Sequence, residues 1–196
     1  MKLVFATHNQ NKFLEVKKLM PDPITLLSLN DISCFDEIPE TGHTLEENAK
    51  IKADHVTEKY NIPCFADDTG LLVDALDGRP GVHSARYAGP QKKDGDNIAK
   101  LLLELKGQAD RRAHFKTVIA LNLGNEKLLF KGKVEGHITN EPQGTGGFGY
   151  DPIFRPVGYP ETFAQLPINI KNKIGHRGKA IEQLINYLQT NQHVTK

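Results

Sequence analysis

The first twenty residues constrain the fold more than any other stretch of this chain. Leu3-Val4-Phe5-Ala6 is a short apolar run, and Thr7-His8-Asn9-Gln10-Asn11 is a polar turn. Residues 12–20 then place Phe13, Val16 and Leu19 on one helical stripe. A strand, a turn and a helix in so few residues open a sheet that helices will cover. Residues 24–29 read as a second strand. Thr44-Leu45-Glu46-Glu47 matches a capping box, so a helix begins there, and Leu45, Ala49, Lys52, Ala53, Val56 and Tyr60 continue its inner side until Pro63. On that side Lys52 is expected to lend only its stem. Cys64-Phe65-Ala66 predicts a buried strand ending at Asp67-Asp68, and residues 71–73 a separate short one. Ile98, Leu101, Leu102 and Leu105 give a helix over residues 94–105. Residues 113–123 and 127–138 form a hairpin around Gly124-Asn125, and the last helix covers residues 179–189. The sum predicts an α/β fold: a mixed sheet covered by helices, one domain over residues 1–196 with two lobes framing a cleft.

Composition narrows the function. A chain of 196 residues can bury roughly 70% of its unfolded surface. With 25 basic and 24 acidic residues the net charge is +1, which argues against a general nucleic-acid or membrane surface and makes any polyanion site local. The two cysteines, Cys34 and Cys64, fit no C-x-x-C pattern, and the histidines show no H-x-H or H-E-x-x-H spacing, so neither a disulfide framework nor zinc is expected. A reducing cytosol is the simplest compartment for such cysteines; the start is too short for a signal peptide and no apolar run approaches membrane-spanning length.

Several local clusters carry chemistry. Gly144-Thr145-Gly146-Gly147-Phe148-Gly149-Tyr150-Asp151 formally satisfies G-x-G-x-x-G, but it lies late in the chain and runs into Asp151-Pro152-Ile153-Phe154, which reads as extended rather than helical. No Lys-Ser or Lys-Thr follows, so it is not a Walker loop. Glycines beside two aromatics and an acid suit a planar, polar ligand. Asp67-Asp68, followed by Thr69-Gly70, offers carboxylates of the kind that hold hard cations, although the same four residues also make a good turn. Asp68 is the better candidate for the working carboxylate. Glu40 is a possible second acid, whereas Glu47 is explained by the capping box. Thr7, His8, Asn9, Gln10, Asn11 and Lys12 stand at a strand-to-helix turn, a ready anion site. Lys171-Asn172-Lys173-Ile174-Gly175-His176-Arg177-Gly178 reads as a second basic turn before the last helix; its lysines suit phosphate, while His176 and Arg177 suit a base carbonyl. Each cluster also has a bland reading as turn, cap or solvated surface. Together they supply what a nucleoside triphosphate with magnesium requires.

The ordered segments Thr7-His8-Asn9-Gln10-Asn11-Lys12, Glu40-Thr41-Gly42, Ala66-Asp67-Asp68-Thr69-Gly70, Gly81-Val82-His83-Ser84-Ala85-Arg86-Tyr87, the glycine-rich stretch through Phe154, and Gly175-His176-Arg177-Gly178 resemble the dITP/XTP pyrophosphatase family, the inosine triphosphatases. The likeness runs from residue 2 to the final helix. It implies an elongated, mixed, twisted sheet flanked by helices, two lobes with the active site in a central cleft, and usually a homodimer. It implies magnesium-dependent hydrolysis of ITP, dITP and XTP to the monophosphate and pyrophosphate, cleansing the nucleotide pool. Residues 7–12 would hold phosphates and Glu40 and Asp68 would bear on magnesium. Asp68 would take the proton of the attacking water with Thr69 beside the substrate, and Phe148, Gly149, Tyr150, Asp151, Lys171, His176 and Arg177 would surround the nucleotide. Thr69 stands where Ser is frequent and keeps the hydroxyl, and His8 occupies a variable position. Rival readings are a pyrophosphatase for modified pyrimidine triphosphates, as in the Maf-like proteins, and a nucleotide- or RNA-binding module without catalysis.

Overall fold

The computed structural model describes residues 1–191. Seven strands form one sheet: β1 (Lys2–Phe5), β2 (Thr25–Leu27), β3 (Cys64–Val73), β4 (Pro80–Gly81), β5 (Arg112–Leu123), β6 (Glu126–Ile138) and β7 (Phe154–Pro156). Their order is β2-β1-β3-β5-β6-β7, with β4 added on β3. Strand β1 runs parallel to both neighbours, Val4 facing Leu27 on one side and Cys64 on the other, while β4 and β7 pair antiparallel. This is the mixed sheet expected of the sequence. Among the described residues five α-helices accompany it: α1 (Gln10–Lys17), α2 (Leu45–Tyr60), α3 (Asp94–Glu104), α4 (Ile168–Ile174) and α5 (His176–Thr190).

The chain divides into two compact units. The first holds Met1–Asp68, Thr117–Gly132 and the chain from Arg177; the second holds Thr69–Lys116 and Lys133–His176. In the first, Leu3 and Phe5 of β1, Phe65 of β3 and Ile119 and Leu121 of β5 meet Phe13 and Val16 of α1 and Ala180, Ile181 and Leu184 of α5 in one buried cluster. Phe5 and Phe65 stack with ring centroids 4.6 Å apart. The helical stripes are thus buried on sheet residues, and each fully covered Leu, Ile or Phe contributes about 1.5–3 kcal/mol of transfer free energy. In the second unit, Ile98, Leu101 and Leu105 at and beyond α3 pack with Leu71, Val73, Phe115, Ile138, Phe154 and Phe163.

The capping box forms as expected: the Thr44 hydroxyl accepts from the Glu47 N–H and the Glu47 carboxylate accepts from the N–H groups of Thr44 and His43. The hairpin turns at Gly124, whose φ of +59° is the left-handed region.

Three expectations are corrected. Residues 64–73 are one ten-residue strand with no turn at Asp67-Asp68. Strand geometry survives there because lysine and arginine side chains pair with the two acids, and because Gly70 lets β4 approach; a Cβ on it would sit 2.7 Å from the Gly81 carbonyl oxygen. Asp151-Pro152-Ile153 is a 3-10 turn rather than extended chain, with Pro early in the turn where its fixed φ fits. The basic segment at 171–178 is not a loop: Lys171 and Lys173 end α4, Gly175 interrupts, and α5 begins at His176.

Candidate active site

In the first unit a charged network is assembled from four distant stretches. Strand β3 is buried, and its acids Asp67 and Asp68 are 1% and 8% exposed. Neighbouring strand residues point to opposite faces, so the two carboxylates meet different partners. Asp67 accepts from Lys12 Nζ at 3.0 Å through one oxygen and from Arg177 Nε at 3.1 Å through the other. Arg177 also donates to Glu15 of α1 through Nη1. Asp68 and Glu40 share Lys52 of α2, whose Nζ lies 3.4 Å from Asp68 Oδ1 and 2.7 Å from Glu40 Oε1. Asp68 Oδ2 is different: it is buried and has no hydrogen-bond partner among the described residues. A buried carboxylate oxygen without a donor is costly, and such an atom calls for an explanation.

The electrostatics follow. Burial alone would push the Asp67 carboxyl up, but Lys12, Arg177 and Lys52 outweigh it and hold it well below the usual carboxylate range. At Asp68 burial prevails over Lys52 and Lys12, and the carboxyl stands above its ordinary value. Burial lowers the Lys12 ammonium, helped by Arg177 and Lys52 and opposed by Asp67. Lys52 goes the other way, since Asp68 and Glu40 overcome its burial. Two adjacent residues of one strand are therefore tuned in opposite directions, the pattern that separates a fixed counter-charge from a proton acceptor.

The strand-to-helix turn precedes this network. Asn9 caps α1, its Oδ1 accepting from the Lys12 N–H, and Thr7 Oγ1 accepts from the Asn9 N–H. His8, Asn9, Gln10 and Asn11 are exposed, and His8 Nε2 lies 2.8 Å from the Asp36 carbonyl oxygen.

The second unit holds the aromatic group. Lys171 Nζ donates to Asp151 Oδ2 at 2.6 Å, deep inside, and the same oxygen accepts from the Phe148 N–H. The ammonium lies 4.8 Å from the Phe148 ring centroid and 5.9 Å from that of Phe163. His176 stacks on Phe115 with centroids 4.7 Å apart. Gly147 is required here: its φ is +73° and any side chain would meet the Asp151 carboxylate. Gly149 donates to Asp94 Oδ2 at 2.6 Å.

The structure thus brings Lys12, Glu40, Asp68 and Arg177 into one network in the first unit, and Phe148, Asp151, Lys171 and His176 into one neighbourhood in the second. Thr69 follows Asp68 along β3, half-buried. Tyr150, expected to offer a face to a ligand, is buried, with its hydroxyl donating to the Ser84 carbonyl. Arg177, expected at a base carbonyl, has its Nε and Nη1 engaged by Asp67 and Glu15. Lys52, expected to lend only its stem, is buried with its ammonium on Glu40 and Asp68, and Glu15 escaped the sequence reading. Lys52 interrupts an otherwise apolar helix stripe, and a cation at such a position is the signal that could have flagged it.

An acid-and-amine network on a mixed sheet, with a glycine-aromatic loop elsewhere in the same chain, defines an α/β protein equipped for phosphate chemistry. The comparisons agree. The family model described as the Ham1 family matches residues 3–187. A dITP/XTP pyrophosphatase of Flavobacterium johnsoniae is 58% identical over 96% of this chain and 98% of its own length, and one of Bacillus subtilis is 47% identical over 95% and 96%. The structure of the Staphylococcus aureus Ham1 protein superposes with a TM-score of 0.89 at 41% identity, over 97% of this chain and 100% of that one. The chain belongs to the Ham1 family.

Proposed function

We propose that this chain hydrolyses deaminated purine nucleoside triphosphates, ITP, dITP and XTP, to the monophosphate and pyrophosphate and so removes them from the nucleotide pool. The observation that carries the reading is Asp68: a buried carboxylate with a raised pKa, one oxygen on Lys52 and the other without a partner among the described residues. Relatives bearing the name dITP/XTP pyrophosphatase at 45–58% identity support it.

The Asp68 oxygen that lacks a donor and the nearby Glu40 carboxylate are the hard oxygen ligands magnesium prefers. Glu40 and Asp68 would hold the ion, and a bound magnesium supplies positive charge to phosphate oxygens and lowers the pKa of water it binds. The chain's own residues do the rest. Asp68 accepts the proton of the water whose oxygen bonds to the α phosphorus as the bridging bond to the β phosphate breaks and pyrophosphate leaves; its raised pKa makes it a better base than an ordinary aspartate. Lys12 and Lys52 offset negative charge developing on the departing pyrophosphate. Arg177 acts as a positioning residue, fixing Asp67 and through it the Lys12 ammonium.

Base recognition belongs to the second unit. Phe148 offers a ring to a purine, and His176 donates toward the 6-oxo group. Adenine presents an amino donor at that position and would leave a buried donor unmatched, which can cost a discrimination of about 10⁴-fold. Thr69, Gly149 and Lys171 complete the nucleotide contacts in this reading, and residues 7–11 cradle phosphate. By the resemblance the working form is a homodimer, in the cytoplasm that the cysteine usage suggests; a monomeric sedimentation profile would remove the dimer.

Pyrophosphate release measured with ITP, dITP, XTP, ATP, GTP and modified pyrimidine triphosphates, each with magnesium and with EDTA, tests the proposal. The expected outcome is turnover of the three deaminated purines in magnesium and none in EDTA. Preferential turnover of a modified pyrimidine, or binding with no release, would replace it.

A further inference from the structure

Outside the charged network, the first unit holds a group of donors that the nucleotide reaction does not use. Among the described residues, a cysteine sulfur, a carboxylate oxygen and an imidazole nitrogen, from Cys34, Asp36 and His55, all lie within 4.8 Å of one another. His55 Nε2 and Asp36 Oδ2 are 2.8 Å apart. Cys34 is buried, while the side chains of Asp36 and His55 are 35% and 34% exposed, so the group opens to solvent on its nitrogen and oxygen side. Local spacing hides the set: the first two donors sit in the loop after residue 33, and the third comes from the middle of α2.

We propose that Cys34, Asp36 and His55 form a site for one zinc ion, with water completing the coordination. A tetrahedral zinc with bonds of about 2.0–2.3 Å holds its ligands roughly 3.3–3.8 Å apart, so the Asp36–His55 pair has to widen by about 0.5 Å and the sulfur has to draw in by roughly 1–1.5 Å at most. Thiolate, imidazole and carboxylate together suit zinc and its neighbours in the first transition row, whereas magnesium takes oxygen alone. Supporting bonds surround the donors. The Tyr60 hydroxyl donates to the carbonyl of Ser33, next to Cys34 in the chain, and His8 Nε2 pairs with the Asp36 carbonyl oxygen. Contacts of this kind orient metal ligands.

One group competes. The Lys59 ammonium is 2.6 Å from Asp36 Oδ2 and is half exposed on α2. An incoming dication displaces it, and the long side chain is free to turn to solvent at a cost typical of a surface ion pair. The position of the site gives it a consequence. Asp36 precedes Glu40 by four residues in the loop, and His55 follows Lys52 by three on α2, one turn along the same helix face. A zinc ion at Cys34, Asp36 and His55 would fasten the loop that carries Glu40 to the helix that carries Lys52.

Cobalt(II) titration of the full chain in magnesium-containing buffer tests the site. The expected result is a near-ultraviolet thiolate-to-cobalt charge-transfer band with intense d–d bands, saturating at one ion per chain and bleached by one equivalent of zinc. Cys34→Ser should abolish the charge-transfer band and Cys64→Ser should keep it. His55→Ala should weaken cobalt binding by at least about tenfold. Lys59→Ala should tighten it roughly two- to five-fold, the size of a lost competing ion pair, which a purely structural Asp36–His55 contact does not predict. Circular dichroism melts confirm that each variant is folded. Absence of a thiolate band, a band that survives Cys34→Ser, or one lost in Cys64→Ser would overturn the proposal.

Discussion

In the first unit four carboxylates, Glu15, Glu40, Asp67 and Asp68, meet three cations, Lys12, Lys52 and Arg177. Among these seven groups the acids outnumber the cations by one, and the oxygen that lacks a donor among the described residues belongs to Asp68. In the second unit Lys171 and Asp151 form a balanced pair in which the carboxylate also accepts a backbone N–H and the ammonium rests on aromatic rings. Burying charge is expensive in both places. A balanced, saturated pair fixes geometry, whereas a network with surplus charge is suited to receive a cation. On the proposed reading the difference divides the work: the first unit would react, and the second would shape a surface around Phe148.

The sharpest way to break that comparison is to neutralise the surplus. Asp68→Asn keeps the shape of the side chain but removes the proton acceptor and the excess charge. Pyrophosphate release should fall by about 10³-fold or more, the scale of a lost general base, while the thermal midpoint stays the same or rises because a buried charge has gone. Near-normal turnover in this variant would take Asp68 out of the reaction.

The next test strips a cation from the network instead. Arg177→Met leaves Glu15 and Asp67 buried without their shared partner and should destabilise the fold by about 3–5 kcal/mol in denaturant unfolding. The pH dependence has a definite sign. The folded-state pKa of Asp67 lies below its ordinary value of 3.8, so its contribution to stability is present above that value and is lost as pH falls toward the folded-state pKa. Without Arg177 the Asp67 pKa rises and this acid-side loss should shrink. A variant as stable as the parent, with an unchanged acid limb, would mean that the Arg177 contacts carry no net energy.

Much of the fold was legible in the sequence, and the failures have physical causes. Strand β1, the capping box at Thr44 and the stripes of α3 and α5 were readable because period and caps are local properties. Asp67-Asp68 looked like a turn because adjacent acids disfavour a buried strand; what overrides that preference is Lys12, Lys52 and Arg177, contributed from 55, 16 and 110 residues away. No local rule sees such partners. The same limit hid Glu15, which reads as a solvated helix residue until Arg177 is placed beside it. Lys171 and Lys173 looked like loop residues because a glycine follows them, yet Gly175 separates two helices.

The smallest effect should come from the second unit, and it sharpens the contrast. Phe148 lies beside the Lys171 ammonium, and its N–H is bonded to Asp151, so its backbone is fixed independently of its ring. Phe148→Ala should therefore leave the loop in place and remove only the flat surface. Affinity for ITP should weaken by about 1–3 kcal/mol if the ring stacks on a base, with kcat changed much less, because uniform binding is lost rather than transition-state stabilisation. Competition by the monophosphate product isolates the binding term. If KM and product affinity are unchanged while kcat falls, the ring does not stack on the purine, and base recognition must be sought on other residues of the second unit.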